Sequence, residues 1–172
     1  MSKNLIIYYS RTGENYWNGS IRKLAKGNTE IVAEFIQKAV GSDLFEVDTV
    51  NPYSADYIAC TEEAKAELRD NVRPELKAYL DDISGYDNIV VAGPCWWGTY
   101  PMAIFSQLDR LDFTGKTVFP VMTHEGSGQA GSTAALKKHC AGAQIGSGLA
   151  VHGADAAKSG HMIAEWAKKN LK

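Results

Sequence analysis

The run Leu5-Ile6-Ile7-Tyr8-Tyr9 passes directly into Ser10-Arg11-Thr12-Gly13. Five apolar residues in succession are a strand's length, and without polar alternation they read as a strand covered on both faces. The next four combine hydroxyls with a glycine. At a helix N-terminus, such a turn can aim backbone N–H groups at an anion. Alone, the segment reads equally well as an ordinary polar turn, so its meaning depends on what the chain places beside it.

Further apolar runs follow. Leu44-Phe45-Glu46-Val47 is a weaker second strand, Asn88 to Gly93 a third, Thr117 to Thr123 a fourth and Gly148 to Val151 a fifth. Helical periodicity fills most of the gaps. Ile31, Val32, Phe35, Ile36 and Ala39 share one stripe. Asp56 to Leu80 is long and charge-laced, with a break expected near Arg73-Pro74. Met102 to Leu111, Ser132 to His139 and Ser159 to Leu171 complete the helices, the last with Ile163 and Trp166 facing inward. Alternating strands and helices specify an α/β chain with a mostly parallel sheet. A length of 172 residues suits one domain over 1–172. One stretch breaks the rhythm: between Tyr9 and Ile31, turn-forming residues including Asn18 and Gly19 read as a long functional loop.

Composition removes several classes. A net charge of −2 leaves no basic field for nucleic acid or an acidic membrane. Cys60, Cys95 and Cys140 form no C-x-x-C pair, which favours a reducing compartment, the cytoplasm. The four histidines lack ligand spacing, so no metal site is expected. The first apolar run is too short for a signal peptide or a membrane span.

Parallel sheets bind ligands beyond the carboxyl ends of their strands, where the strand order reverses. The third strand is followed by Gly93-Pro94-Cys95-Trp96-Trp97-Gly98-Thr99-Tyr100-Pro101. Adjacent tryptophans in a surface loop need cover, which a flat aromatic ligand or the core itself would supply. The fourth strand leads into Thr123-His124-Glu125-Gly126-Ser127-Gly128-Gln129-Ala130-Gly131. Its glycines also match G-x-G-x-x-G, with Asp155 downstream. A dinucleotide fingerprint belongs to the first strand–helix turn, however, and this one does not.

Together the three loops resemble the flavodoxin family, through S-R-T-G…N-T, P-x-W-W-G and T-H-x-G-S-G in the right order along almost the whole chain. The resemblance implies a flavodoxin-like three-layer α/β/α sandwich. Its five-stranded parallel sheet has order 2-1-3-4-5, with FMN at the switch point; flavodoxin is itself a standard illustration of that rule. Carried over by position, Ser10, Arg11, Thr12, Gly13, Asn28 and Thr29 hold the phosphate. Pro94, Cys95, Trp96, Trp97, Gly98 and Thr99 line the flavin ring. Thr123, His124, Glu125, Gly126, Ser127 and Gly128 contact its pyrimidine edge. The Gly98–Thr99 peptide corresponds to the one that turns over toward flavin N5 on reduction. His124 supplies either a cation near the reduced ring or a structural hydrogen bond. Cys95 reads mainly as packing.

Two departures stand out. Fourteen residues, Glu14 to Gly27, interrupt the phosphate loop, and the fourth-strand loop carries no Phe, Tyr or Trp to cover one face of the ring. Trp17, with Tyr16, is expected to supply that cover from the insertion. Arg22, Lys23 and Lys26 read as a solvated face. The implied function is FMN-dependent electron transfer to redox partner proteins or a small acceptor, the oligomeric state being left open. The alternative is an FMN-dependent NAD(P)H oxidoreductase acting on quinones or similar acceptors. A response-regulator receiver is disfavoured, because the first and third strands end in Tyr9-Ser10-Arg11 and Gly93-Pro94-Cys95, without the acidic residues it needs.

Overall fold

A computed structural model describes residues 2–172. In chain order the elements are β1 (Asn4–Tyr8), β2 (Gly13–Trp17), β3 (Ser20–Leu24), α1 (Asn28–Val40), β4 (Asp43–Glu46), α2 (Tyr57–Arg69) and β5 (Asn88–Pro94). They continue with α3 (Met102–Leu108), β6 (Thr117–His124), α4 (Ser132–His139), β7 (Gln144–Ile145), β8 (Leu149–His152) and α5 (Gly160–Asn170). The main sheet is parallel throughout, in the order β4-β1-β5-β6, with β7 and β8 both on the far edge of β6.

Alternation along β1 divides the interior. Leu5 and Ile7 join Ile89, Val91 and the α3 residues Ala103 to Phe105 on one face. Ile6 and Tyr8 join Val32 and Ile36 of α1 and Ile163 of α5 on the other. This is the expected three-layer order with β1 and β5 at its centre. Trp166 is half-buried on α5, its ring edge-on to Phe119 at 6.1 Å.

Three local expectations change. The fifth strand, anticipated over Gly148 to Val151, is β8, and a separate short strand, β7, precedes it on the same edge of β6. Between them a Cβ on Gly146 would collide with the Phe119 ring, and one on Gly148 with the Gln129 amide. The glycines let the chain pass these side chains, at the cost of continuous pairing. The long helix anticipated from Asp56 ends at Arg69, before the proline. Asn71 turns left-handed (φ 51°), and the N–H groups of Asn71 and Val72 return to the carbonyls of Leu68 and Glu67. That hydrogen-bond pair closes a helix end.

The anticipated loop after Tyr9 is a β-hairpin. Strands β2 and β3 pair in register from Gly13 with Leu24 to Trp17 with Ser20. Asn18 (φ 49°) and Gly19 (φ 96°) form the two-residue turn. Positive φ at both positions matches the twist of the flanking strands, the reason Asn-Gly favours such hairpins.

One buried contact fixes the edge where the loops gather. The hydroxyls of Thr29, in the first turn of α1, and Thr123, near the end of β6, lie 2.8 Å apart. Thr123→Val leaves the Thr29 hydroxyl without this partner and should cost about 1–3 kcal/mol in urea unfolding of the cofactor-free protein. Thr29→Val with Thr123→Val should cost less than the two single losses summed. A fully additive double variant would show that the hydroxyl pair contributes nothing.

Candidate functional site

The first loop is rejoined across the hairpin. A Cβ on Gly27 would collide with Ser10 Oγ and lie 2.7 Å from the Arg11 carbonyl oxygen, so only glycine lets the returning strand seat here. Ser10 Oγ accepts the Glu30 N–H at 3.1 Å and caps α1 from the end of β1. The preceding N–H groups of the helix, at Asn28 and Thr29, have no carbonyl one turn back to bind. They sit beside Ser10 and Arg11 at the positive end of the helix dipole. Ser10, Arg11, Asn28 and Thr29 are thus neighbours despite the insertion. The Arg11 side chain turns aside: Nε donates to Glu14 O at 2.8 Å and Nη2 to Ser54 O at 2.9 Å, tying the hairpin base to the loop before α2.

The loop after β5 turns tightly at Trp97-Gly98, with the Trp96 N–H donating to Thr99 O at 2.8 Å. Both turn residues have positive φ, 55° and 83°. A bulky side chain in that region is strained, and two contacts hold it. Trp97 Nε1 donates to the Thr61 carbonyl on α2 at 2.9 Å, and Lys65 Nζ lies 5.2 Å from the ring centroid. Trp97 remains 50 % exposed, whereas Trp96 packs edge-on against Tyr9 and Tyr53 at the core margin. The two tryptophans therefore divide the alternatives, one to the core and one to the surface. The Gly98 carbonyl accepts the Gly131 N–H at 2.8 Å, and a Cβ on Gly131 would reach the same oxygen. Any reorientation of the Gly98–Thr99 peptide must first release that bond.

The loop after β6 is organised by His124 and Glu125. His124 Nδ1 accepts the Gly126 N–H at 2.9 Å, which assigns the ring proton of the neutral form to Nε2. Burial, reinforced by nearby His152, lowers the His124 pKa below its ordinary value. The shift favours the uncharged ring, in which Nε2–H is the free donor. Glu125 Oε2 accepts the Asn18 N–H from the hairpin tip at 3.0 Å and lies 3.2 Å from His152 Nε2. His152 Nδ1 is in turn 3.5 Å from Asp155. The other carboxylate oxygen, Glu125 Oε1, is buried with no protein partner, as is Asn28 Oδ1.

These loops enclose a cleft of about 180 Å³ with Pro94, Cys95, Thr123, Ser127 and the two residues carrying the orphan oxygens on its walls. Tyr16 lines it from the hairpin, stacked on Tyr57 of α2 at 6.1 Å between centroids. Trp17 is covered by the Arg22 guanidinium, 4.9 Å from its ring, so the structure gives the lining position to Tyr16. Lys26 pairs with Glu34 at the surface. Cys60 and Cys140 are buried free thiols, raised to about 11 and about 12 by desolvation and so held protonated near neutral pH. Three contributors escaped the sequence reading. His152 ends β8 at the sheet's carboxyl edge and was open to the same rule that found the other loops. Gly153 follows it, close enough that a Cβ would meet Glu125 Oε1 at 2.8 Å. Tyr57, at the start of α2, carries no local signal.

A sequence model of the family described as Flavodoxin matches residues 22–170. The chain belongs to the flavodoxin family. No curated protein matches this flavodoxin in sequence. Among solved structures, a provisionally assigned flavoprotein from Bacteroides eggerthii is 26 % identical, with TM-score 0.78 over 100 % of this chain and 99 % of its own. A second, from Bacteroides uniformis, is 27 % identical with TM-score 0.78, over 97 % and 98 %. A Lactobacillus acidophilus flavoprotein in complex with FMN shares the fold at 24 % identity and TM-score 0.66, over 92 % and 98 %.

Two outcomes test this flavodoxin's site geometry. Gly27→Ala should destabilise by about 1–3 kcal/mol in denaturant melts, the usual range for forced overpacking. Adding Ser10→Ala should leave most of that loss, because the Arg11 backbone still blocks the Cβ; full rescue would contradict the assignment. Glu125→Ala removes the acceptor at the hairpin tip. Amide hydrogen exchange at Asn18 and its hairpin neighbours should then accelerate about tenfold while β1 and β5 keep their protection. An unchanged hairpin would show that the tip contact holds nothing.

Proposed function

We propose that residues 1–172 form one FMN-binding domain that passes electrons to redox partner proteins or a small acceptor in the cytoplasm. One observation carries this reading: an anion cradle and an aromatic cleft open at the same sheet edge, between β1, β5 and β6, and two buried acceptor atoms there lack a protein donor. A ligand with a phosphate, a flat ring system and hydrogen-bond donors satisfies all three features. Among the described residues, no helix is long and apolar enough to cross a membrane.

Ser10, Thr12, Gly13, Asn28 and Thr29 hold the phosphate, through backbone N–H groups and hydroxyls at the α1 N-terminus. The Arg11 guanidinium shapes the cradle from behind, because its bonds go to Glu14 and Ser54. Pro94 to Thr99 form one wall for the ring and Thr123 to Gly128 the other. Tyr16, one of the two hairpin aromatics expected to cover the ring, supplies that cover. Asn28 Oδ1 and Glu125 Oε1 accept from ligand hydroxyl or N–H donors, and the neutral His124 offers Nε2–H. FMN supplies one- and two-electron chemistry when bound; the protein binds, orients and shields it.

Titration with FMN tests the reading, by quenching of flavin fluorescence and by the visible spectrum. One equivalent should bind. Tyr16→Ala should weaken binding about tenfold, in line with a lost aromatic contact of about 1–1.5 kcal/mol, and Trp17→Ala should change it less than about twofold. A protein that stays colourless with added FMN overturns the proposal.

A further inference from the structure

The parallel pairing of β8 with β6 sets His152 beside His124, their ring centroids 5.8 Å apart. The two rings have opposite surroundings. His124 Nδ1 accepts the Gly126 N–H, a bond closed to an imidazolium, which carries a proton on both nitrogens. His152 has a carboxylate at each nitrogen: Glu125 Oε2 lies 3.2 Å from Nε2, and Asp155 Oδ2 lies 3.5 Å from Nδ1. A neutral imidazole has one N–H, so it meets one of these carboxylates with a lone pair. Only the imidazolium offers a donor to both. Of the two rings, the geometry therefore gives the proton to His152. The lowered pKa of His124, caused by burial and then by His152, agrees.

Glu125 carries the effect of that proton to other elements. Its Oε2 is shared between His152 and the Asn18 N–H at the hairpin tip, and its Oε1 is buried at the cleft without a protein partner. We propose that His152 is a positioning residue whose protonation fixes Glu125, and so couples the hairpin latch and the cleft to pH. With the cation in place, Oε2 is held from two sides and Oε1 keeps one direction. Loss of the proton turns a charge-assisted contact into a neutral one, roughly half as strong. It also takes the Glu125–His152–Asp155 group from one negative charge to two, beside a cleft proposed to hold an anionic cofactor. That last consequence rests on the FMN reading; the effect on the hairpin does not. Around the trio, β6 contributes His124, α1 brings the uncharged Asn28 against Gly153, and Tyr57 of α2 lines the same cleft as Glu125. The cation is favoured by its two carboxylates, so the latch is firmest below the His152 titration and weakens as pH rises through it.

The test begins with the cofactor-free protein. The His152 ring protons, followed by NMR, give the midpoint of its titration. Across that midpoint the protection factor of the Asn18 amide, corrected for the pH dependence of exchange itself, should fall about fivefold, in line with exchanging a charge-assisted hydrogen bond for a neutral one. β1 and β5 should keep their protection. His152→Gln retains a neutral donor near the Nε2 position and should show the lower protection at every pH. Asp155→Asn removes one partner of the cation, so the His152 midpoint and the hairpin transition should move together to lower pH. Titration with FMN then compares the wild type with His152→Gln, which cancels the ionisation of the phosphate itself. The wild-type advantage should shrink from about fivefold to none as pH rises.

Asn18 protection that ignores the His152 titration, a His152→Gln variant with the wild-type pH profile, midpoints that separate in Asp155→Asn, or an FMN advantage constant with pH overturns the proposal. A hairpin transition in a protein that binds no FMN faults only the earlier reading. FMN binding with a hairpin indifferent to pH faults only this one.

Discussion

The site depends on the contact of Gly27 with Ser10 and the Arg11 backbone. It brings the returning chain within reach of the end of β1, so that Ser10 Oγ caps α1 and the preceding N–H groups of the helix, at Asn28 and Thr29, lie beside it. A hairpin can be inserted at this place because its strands pair from Gly13 with Leu24 and the chain then returns at Gly27 against Ser10 and Arg11. The helix start does not move, and neither does the dipole that makes it attractive to an anion. Any larger residue at Gly27 would separate the loop from the helix, and the cradle would lose its donors.

From that anchor the hairpin reaches across the sheet edge. Its base is tied by Arg11 and by the Tyr57 N–H to Glu14, and its tip by the Asn18 N–H to Glu125. Glu125 is thereby shared between the hairpin and His152, with one oxygen left over for a ligand. The carboxylate links three elements that are distant in sequence. Each constrains its orientation, and a side chain with one orientation is a better acceptor than a mobile one. The insertion serves as a wall of the site as well as an excursion from it.

The main sheet was legible because buried parallel strands leave continuous apolar runs, and β1, β5 and β6 do so plainly. The three loops were legible because they follow the carboxyl ends of the central strands and match one family pattern in order along the chain. Other features were hidden for physical reasons. The separate strand β7 and its break from β8 involve the Phe119 and Gln129 side chains meeting Gly146 and Gly148, which are distant in sequence. The end of α2 at Arg69 was masked by the stronger stop signal of Pro74, although Asn71 just beyond it tolerates the left-handed turn that closes the helix. The hairpin was visible in Asn18-Gly19, but its strands are short and exposed, so their polar residues resembled loop. The assignment of lining to Tyr16 over Trp17 follows from the hairpin's docking on Tyr57 and Glu125, which local sequence does not encode.

Partner size then becomes a question of access. A bare parallel-sheet edge presents its ligand to any surface that can approach. Here the hairpin, latched at both ends, stands over the edge on one side, and Trp97, fixed to α2, stands on the other. Between them the cleft beside Trp97 and Ala64 is narrow, apolar and lined by a single guanidinium, while the chain's net charge of −2 offers no strong field for docking a protein of opposite charge. The same latch that shapes the cleft therefore also sets how closely any redox partner can approach it.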